Sequence, residues 1–342
     1  MTASHEMKQY LERLNGGTTR EYGYEGQTGV AFAAWQDAIQ KELASVLGLP
    51  AIRATGSSDP APERLTTETK DGYERQTWQI RTEPDFRVPF DLLLPEASEP
   101  PYPVVLAIHG HCEDGRALTV GEIPADRPEI AEERRDFARQ AVDRGYAALA
   151  PDMRAFGDLA GPEPDADGYR SCTRLQKVAQ LFGRTLAGER VWDILQLLEF
   201  VERRSVLDAE RIGIVGHSGG AAAAMFAAAL DDRLAPVALN SYFCTFDASI
   251  VAIDHCECNY VPGIRRVGEM WDVAGAIAPR PLAVVTGDED PIFPVEGTRR
   301  AFDELTEIYA AADAVDACDL TVASGVHRFY PDAVWPFVDA RL

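Results

Sequence analysis

Residues 211–226 read RIGIVGHSGGAAAAMF. A short apolar run ends at Gly216, two polar residues and two further glycines follow, and the chain then runs into alanines. The pattern predicts a buried strand that turns sharply into a closely packed helix, with Ser218 thrust out at the corner. The flanking glycines tolerate the crowded backbone such a corner needs. A serine there sits at a helix N-terminus, where unpaired N–H groups and the helix dipole favour negative charge. This suits a nucleophile whose substrate becomes an oxyanion. The bland reading of the same corner is a serine that caps a helix.

Working outward, apolar runs alternate with helical patterns. YERQTWQIRT and FRVPFDLLLP read as two strands joined by a short turn, and PVVLAIHG as a buried strand ending at His109-Gly110. IAEERRDFARQAVDRG reads as one amphipathic helix closed by glycine, and YAALAPD as the next strand. A long helical stretch over 175–204 carries potential breaks at Gly183 and Gly188. After the 211–226 unit come strand APVALNS, an irregular segment, strand PLAVVTGDED, helix VEGTRRAFDELTEIYAAA, strand CDLTVAS and helix PDAVWPFVDARL. This alternation predicts an α/β fold with a mainly parallel sheet covered by helices on both faces. Residues 1–71 are expected to form an N-terminal helical extension, helical over 29–47, with a linker at ATGSSDPAPE. Residues 72–342 are expected to form the catalytic domain.

A serine hydroxyl needs a base, usually histidine, oriented by a carboxylate. In a strand–turn–helix setting both follow the nucleophile, acid first. His327, on the loop after the last strand, meets that order; His255 precedes any suitable acid loop. Asp290 is the favoured acid because Pro291 and a short apolar stretch follow it; Asp288 is the alternative, and Glu289 lies between them. The oxyanion needs two preorganised donors. The Gly219 N–H is one. The second is expected from HGHCEDG at 109–115, from His111 or else Cys112. Asp254-His255-Cys256-Glu257-Cys258 clusters soft ligands but lacks a second paired cluster at zinc-finger spacing. No metal is therefore expected, and no cofactor either, since neither a dinucleotide fingerprint nor a P-loop is present.

The 342 residues, 46% hydrophobic and 26% charged, can bury a large core. A net charge of -22 argues against nucleic acid or an anionic membrane as partner. No apolar run is long enough to span a bilayer, and MTASHEMKQYLERLNGG lacks the pattern of a signal peptide, so a cytoplasmic location is expected. The six cysteines are expected as reduced thiols, with a Cys112–Cys172 bridge left open. The N-terminal segment packs either on its own domain or on a neighbouring copy in a homo-oligomer.

These residues in this order resemble the α/β-hydrolase superfamily over 72–342. HGH, PDMRAFGD, GHSGG, DEDPIFP and GVH narrow the resemblance to its acetyl xylan esterase-like and dienelactone hydrolase-like branch, near prolyl oligopeptidase-type domains. The elbow carries serine where a dienelactone hydrolase uses cysteine. The resemblance implies a serine esterase acting on small-molecule, short-acyl esters, acetylated sugars among them. A short-peptide peptidase is the alternative, and a non-catalytic binding protein a more distant one. It also implies that Arg154 braces loops around the site and that Arg190 and Asp193 buttress the nucleophile strand. Relatives vary a lid where 241–275 lies. Cys112, His217, Tyr242, Phe243, Tyr260 and Trp271 are candidate pocket residues.

Overall fold

The computed structural model describes residues 3–56, 59–161 and 168–342. Residues 57 and 58 of the expected linker lie outside the described residues. Among the described residues nine strands form one sheet: β1 (Glu63–Lys70), β2 (Tyr73–Glu83), β3 (Phe86–Pro95), β4 (Tyr102–Ile108), β5 (Ala147–Pro151), β6 (Leu207–His217), β7 (Leu234–Asn240), β8 (Leu282–Gly287) and β9 (Cys318–Ala323). The spatial order is β1-β2-β3-β5-β4-β6-β7-β8-β9. β1, β2 and β3 pair antiparallel, β3 joins β5 antiparallel, and every later neighbouring pair is parallel.

Alternation along the central strands divides the interior in two. Val104, Leu106, Ile108, Ile212, Ile214, Val237, Leu239, Leu282 and Val284 face one side, against helices Val30–Val46, Leu186–Glu202 and Gly219–Leu230. Val105, Ala107, Val215, Ala238, Ala283 and Val285 face the other, against Phe137, Val142, Val334, Trp335 and Val338. Burying a Val, Leu or Ile side chain stabilises by about 1.5–3 kcal/mol, so these two layers supply most of the driving force. Because β4 to β9 run parallel, the loops after them gather at one sheet edge. Those loops carry His111, Asp152, Ser218, Ser241, Asp290 and His327.

Two expectations need correction. Residues 63–70, grouped above with the N-terminal extension and its linker, form the edge strand β1, which is exposed on both faces and so has no apolar alternation to betray it. Of the two placements expected for the N-terminal part, the structure shows packing on its own domain. Phe32, Trp35, Ile39 and Leu43 are buried in the main core, and Asp272 binds both the Tyr24 N–H and the Arg20 guanidinium. The stretch expected as a single helix over 130–145 is likewise two short helices, Pro128–Ala131 and Phe137–Val142. Arg134, at φ 53°, stands between them. Only the second carries buried residues, so nothing holds the charged first half in a continuous helix.

Candidate active site

Ser218 stands between β6 and helix Gly219–Leu230 with φ 53° and ψ -124°. Few non-glycine residues adopt positive φ, and here the neighbours impose it. A Cβ at Gly216 would meet the backbone of Gly220 and Ala221 at 2.5–2.6 Å, and one at Gly220 would meet the Ile108 carbonyl at 2.1 Å. The Ser218 N–H donates to the Asn240 carbonyl at 2.8 Å, fixing the corner to the end of β7.

Ser218 Oγ lies 2.9 Å from His327 Nε2, and His327 Nδ1 lies 2.8 Å from Asp290 Oδ2. The other Asp290 oxygen accepts the backbone N–H groups of Ile292 and Phe293 at 2.8 and 3.0 Å. The Asp290 side chain is fully buried and that of His327 is 14% exposed. A carboxylate so held requires the Nδ1–H tautomer, leaving Nε2 to accept the serine proton. Asp288 does not reach the histidine. It accepts the Gly325 N–H at 2.8 Å and so braces the loop that carries it.

Asn240 is a positioning residue that the sequence did not reveal. Its buried amide donates to the Arg328 carbonyl, at 2.8 Å, and to His217 Nδ1, at 2.9 Å, and it accepts the Tyr330 N–H at 3.0 Å. One side chain thereby ties the His327 loop to the Ser218 corner. Burial holds His217 well below the ordinary imidazole value, so it stays neutral.

Gly219 opens the helix that follows Ser218, where the first N–H groups lack intrahelical partners. The His111 imidazole lies over it, since a Cβ at Gly219 would come within 2.4–2.5 Å of the ring. His109 anchors the same loop: its Nε2 accepts the Met153 N–H at 2.9 Å and its Nδ1–H donates to the Gly110 carbonyl at 2.7 Å. Burial lowers its pKa to about 3.

A cavity of about 200 Å³ opens above Ser218 and His327, walled by Tyr242, Ile292, Phe293, His255 and Asn259. Arg135 and Asp254 also line it. Of the candidate pocket residues, His217 and Tyr242 line it and four do not. Cys112 turns toward His109 and the Gly115 carbonyl, where burial pushes its thiol up to about 12. Phe243 is buried in the core. Tyr260 is exposed, with its hydroxyl on the His255 N–H. Trp271 carries the Arg20 guanidinium over its ring. An aromatic in an irregular segment gives no sequence sign of which way it turns.

Further out, Arg154 grips Asp193 through two bonds of 2.7 Å and also reaches Glu83 and Thr82. Arg190 donates to the Arg154 carbonyl, at 2.9 Å through one guanidinium nitrogen. All six cysteines are free, Cys112 and Cys172 included.

A model of the Abhydrolase family matches residues 18–317. The chain belongs to that family. The match reaches well into the N-terminal part, in keeping with its burial against the core. A Bacillus subtilis (strain 168) protein named "Putative hydrolase YtaP" is 29% identical over 254 residues, spanning 71% of this chain and 78% of the relative. Among solved structures, a "putative acetyl xylan esterase" from Bacteroides fragilis superimposes with a TM-score of 0.78 at 19% identity, covering 93% of this chain and 82% of the other. "Methylesterase BT1017" superimposes at 0.73 with 21% identity, covering 99% and 68%. At these identities the neighbours establish the α/β-hydrolase fold. Among the described residues, no helix is long and apolar enough to cross a membrane.

Proposed function

We propose that this hydrolase is a serine esterase that cleaves short-acyl esters, acetyl esters of carbohydrates among them, through an acyl-enzyme. The observation that carries the reading is the hydrogen-bonded line Ser218–His327–Asp290 at the floor of a small cavity. Ser218 Oγ attacks the ester carbonyl while His327 Nε2 takes its proton, and Asp290 stabilises the imidazolium. The N–H groups of Gly219 and His111 receive the oxyanion. Collapse of the tetrahedral intermediate expels the alcohol, protonated by His327. Water, deprotonated by the same histidine, then releases the acid.

The walls support a short acyl group. About 200 Å³ falls below the 300–1,000 Å³ typical of drug-sized ligands, and Tyr242 and Phe293 are both buried. An acetyl group fits such a space. Support for a carbohydrate alcohol comes from the neighbours named for acetyl xylan and from others named glucuronoyl esterases. The test is hydrolysis of p-nitrophenyl esters from acetate to octanoate by wild type and Ser218→Ala, followed by acetylated sugars. Turnover that falls with chain length and disappears in the variant is expected. Equal activity in the two proteins, or cleavage of short peptide amides in preference to esters, would overturn the reading.

A further inference from the structure

The Cys256-Glu257-Cys258 stretch does not stand alone in the fold. One ligand atom each from His111, Cys172, Cys256 and Cys258 lies within 4.8 Å of every other. His111 Nε2 is 3.2 Å from Cys258 Sγ. Cys172 and Cys258 are buried, Cys256 is partly so, and all three are free thiols. They arrive from three places: the loop after β4, helix Gly168–Leu181, and the turn Glu257–Asn259 with the residue before it. We propose that these four side chains form a Cys3His site for one tetrahedral divalent cation of the zinc type.

The geometry and the chemistry agree. Zinc holds sulfur at about 2.3 Å and imidazole nitrogen at about 2.0–2.1 Å, so tetrahedral ligand atoms sit about 3.5–3.8 Å apart. The spacing here brackets that value. Thiolates and imidazole are the soft and borderline donors zinc prefers, and no carboxylate in the group invites a harder ion. Three thiolates and a dication leave one negative charge, and the structure supplies its partner. The buried Arg190 guanidinium lies 3.4 Å from Cys172 Sγ and is itself fixed by the Arg154 carbonyl. Such an outer hydrogen bond orients a ligand and stabilises its charged form.

Four protein ligands leave no open position, so the ion fastens the fold and does not activate water. It would join the loop bearing His111 to helix Gly168–Leu181 and to the 241–275 segment that walls the cavity. Thr173 already bonds Glu257 across this junction, and the His111 ring covers Gly219. The effect on turnover rests on the esterase reading, in which the His111 N–H serves the oxyanion; the metal site itself does not.

The test is the metal content of full-length, tag-free protein grown with zinc and purified under reducing conditions without chelator. About one zinc per chain is expected, falling to background in Cys258→Ser and in Cys172→Ser but not in Cys318→Ser, whose residue lies outside the cluster. Should the serine variants fail to fold, wild-type protein stripped of metal and titrated with cobalt(II) gives the same information. One equivalent should bring up the intense thiolate-to-cobalt absorption, and zinc should then bleach it. Zinc restored to the stripped protein should raise its melting temperature, and should raise kcat by up to about 10² with little change in KM. Reduced protein that holds no metal and takes up no cobalt would overturn the proposal. So would an intact mass and peptide map showing a disulfide among these cysteines in freshly purified protein. Zinc bound in a protein without esterase activity would leave the site standing and remove only the esterase reading.

Discussion

Replacing Asp290 with asparagine changes one atom and should nearly abolish turnover. Asp290 Oδ1 is committed to the N–H groups of Ile292 and Phe293, while Oδ2 faces His327 Nδ1 at 2.8 Å. In Asp290→Asn the remaining oxygen keeps the two backbone donors, because an NH2 group there would confront two N–H groups. The amide nitrogen must therefore face His327 and donate to Nδ1. That selects the Nε2–H tautomer, which cannot accept the Ser218 proton across 2.9 Å. In a serine protease triad this exchange costs about 10⁴ in kcat, about 5.4 kcal/mol at 1.36 kcal/mol per tenfold. We expect a loss of that order on p-nitrophenyl acetate, with KM little changed. The variant is isosteric and keeps its backbone bonds, so its melting temperature should stay within about 4 °C of wild type. A loss below tenfold with an intact fold would refute the tautomer argument, and with it the role given to Asp290.

Three further outcomes follow from the same contacts. Gly219→Ala places a methyl group 2.4 Å from the His111 ring and must displace it; we expect kcat to fall by about 10²–10³, read on the same ester, and near wild-type turnover would show that the His111 loop is not part of the site. Asn240→Leu strands the Tyr330 N–H and His217 Nδ1 and leaves the Arg328 carbonyl only the Ser241 hydroxyl, so urea unfolding should show a loss of about 2–4 kcal/mol, with kcat lowered as the His327 loop loosens. Burial raises the Glu83 carboxyl, but hydrogen bonds from Arg184 and Arg154 outweigh it and hold it at about 2 against an ordinary 4.5. Its contribution is therefore complete above the unfolded value and is lost as pH falls from about 5 toward 2. Discounted for partial exposure, that is about 1–2 kcal/mol, so the stability gap between wild type and Glu83→Gln should shrink between pH 6 and 3, and a gap constant with pH would contradict the assignment.

What could be read from the sequence was what burial writes into it. The runs PVVLAI, RIGIVGH and PLAVVTG are apolar without alternation because both faces of their strands are covered, and they place the sheet. The corner at Ser218 is written in glycines because a Cβ at Gly216 or Gly220 would come within 2.1–2.6 Å of neighbouring backbone. The order Ser218, Asp290, His327 follows from strand order. Features set by long-range contact left no such trace. β1 (ERLTTETK) is an edge strand exposed on both sides, so its polar pattern resembles a loop. Asn240 looks like an ordinary strand-end residue until the Arg328 and Tyr330 backbone is seen to converge on it. The cysteine group is not legible locally: Cys256 and Cys258 form a lone C-x-C pair, and their companions His111 and Cys172 arrive from distant elements.

The central claim, that Ser218 is the nucleophile of a triad, is tested most directly by covalent trapping. Wild type should be incubated with a fluorophosphonate, and the label located by peptide mass spectrometry. The account predicts a single adduct on the peptide containing Ser218, absent in Ser218→Ala and formed far more slowly in Asp290→Asn. An adduct on another residue, or ester turnover that persists with Ser218 unlabelled, would contradict it.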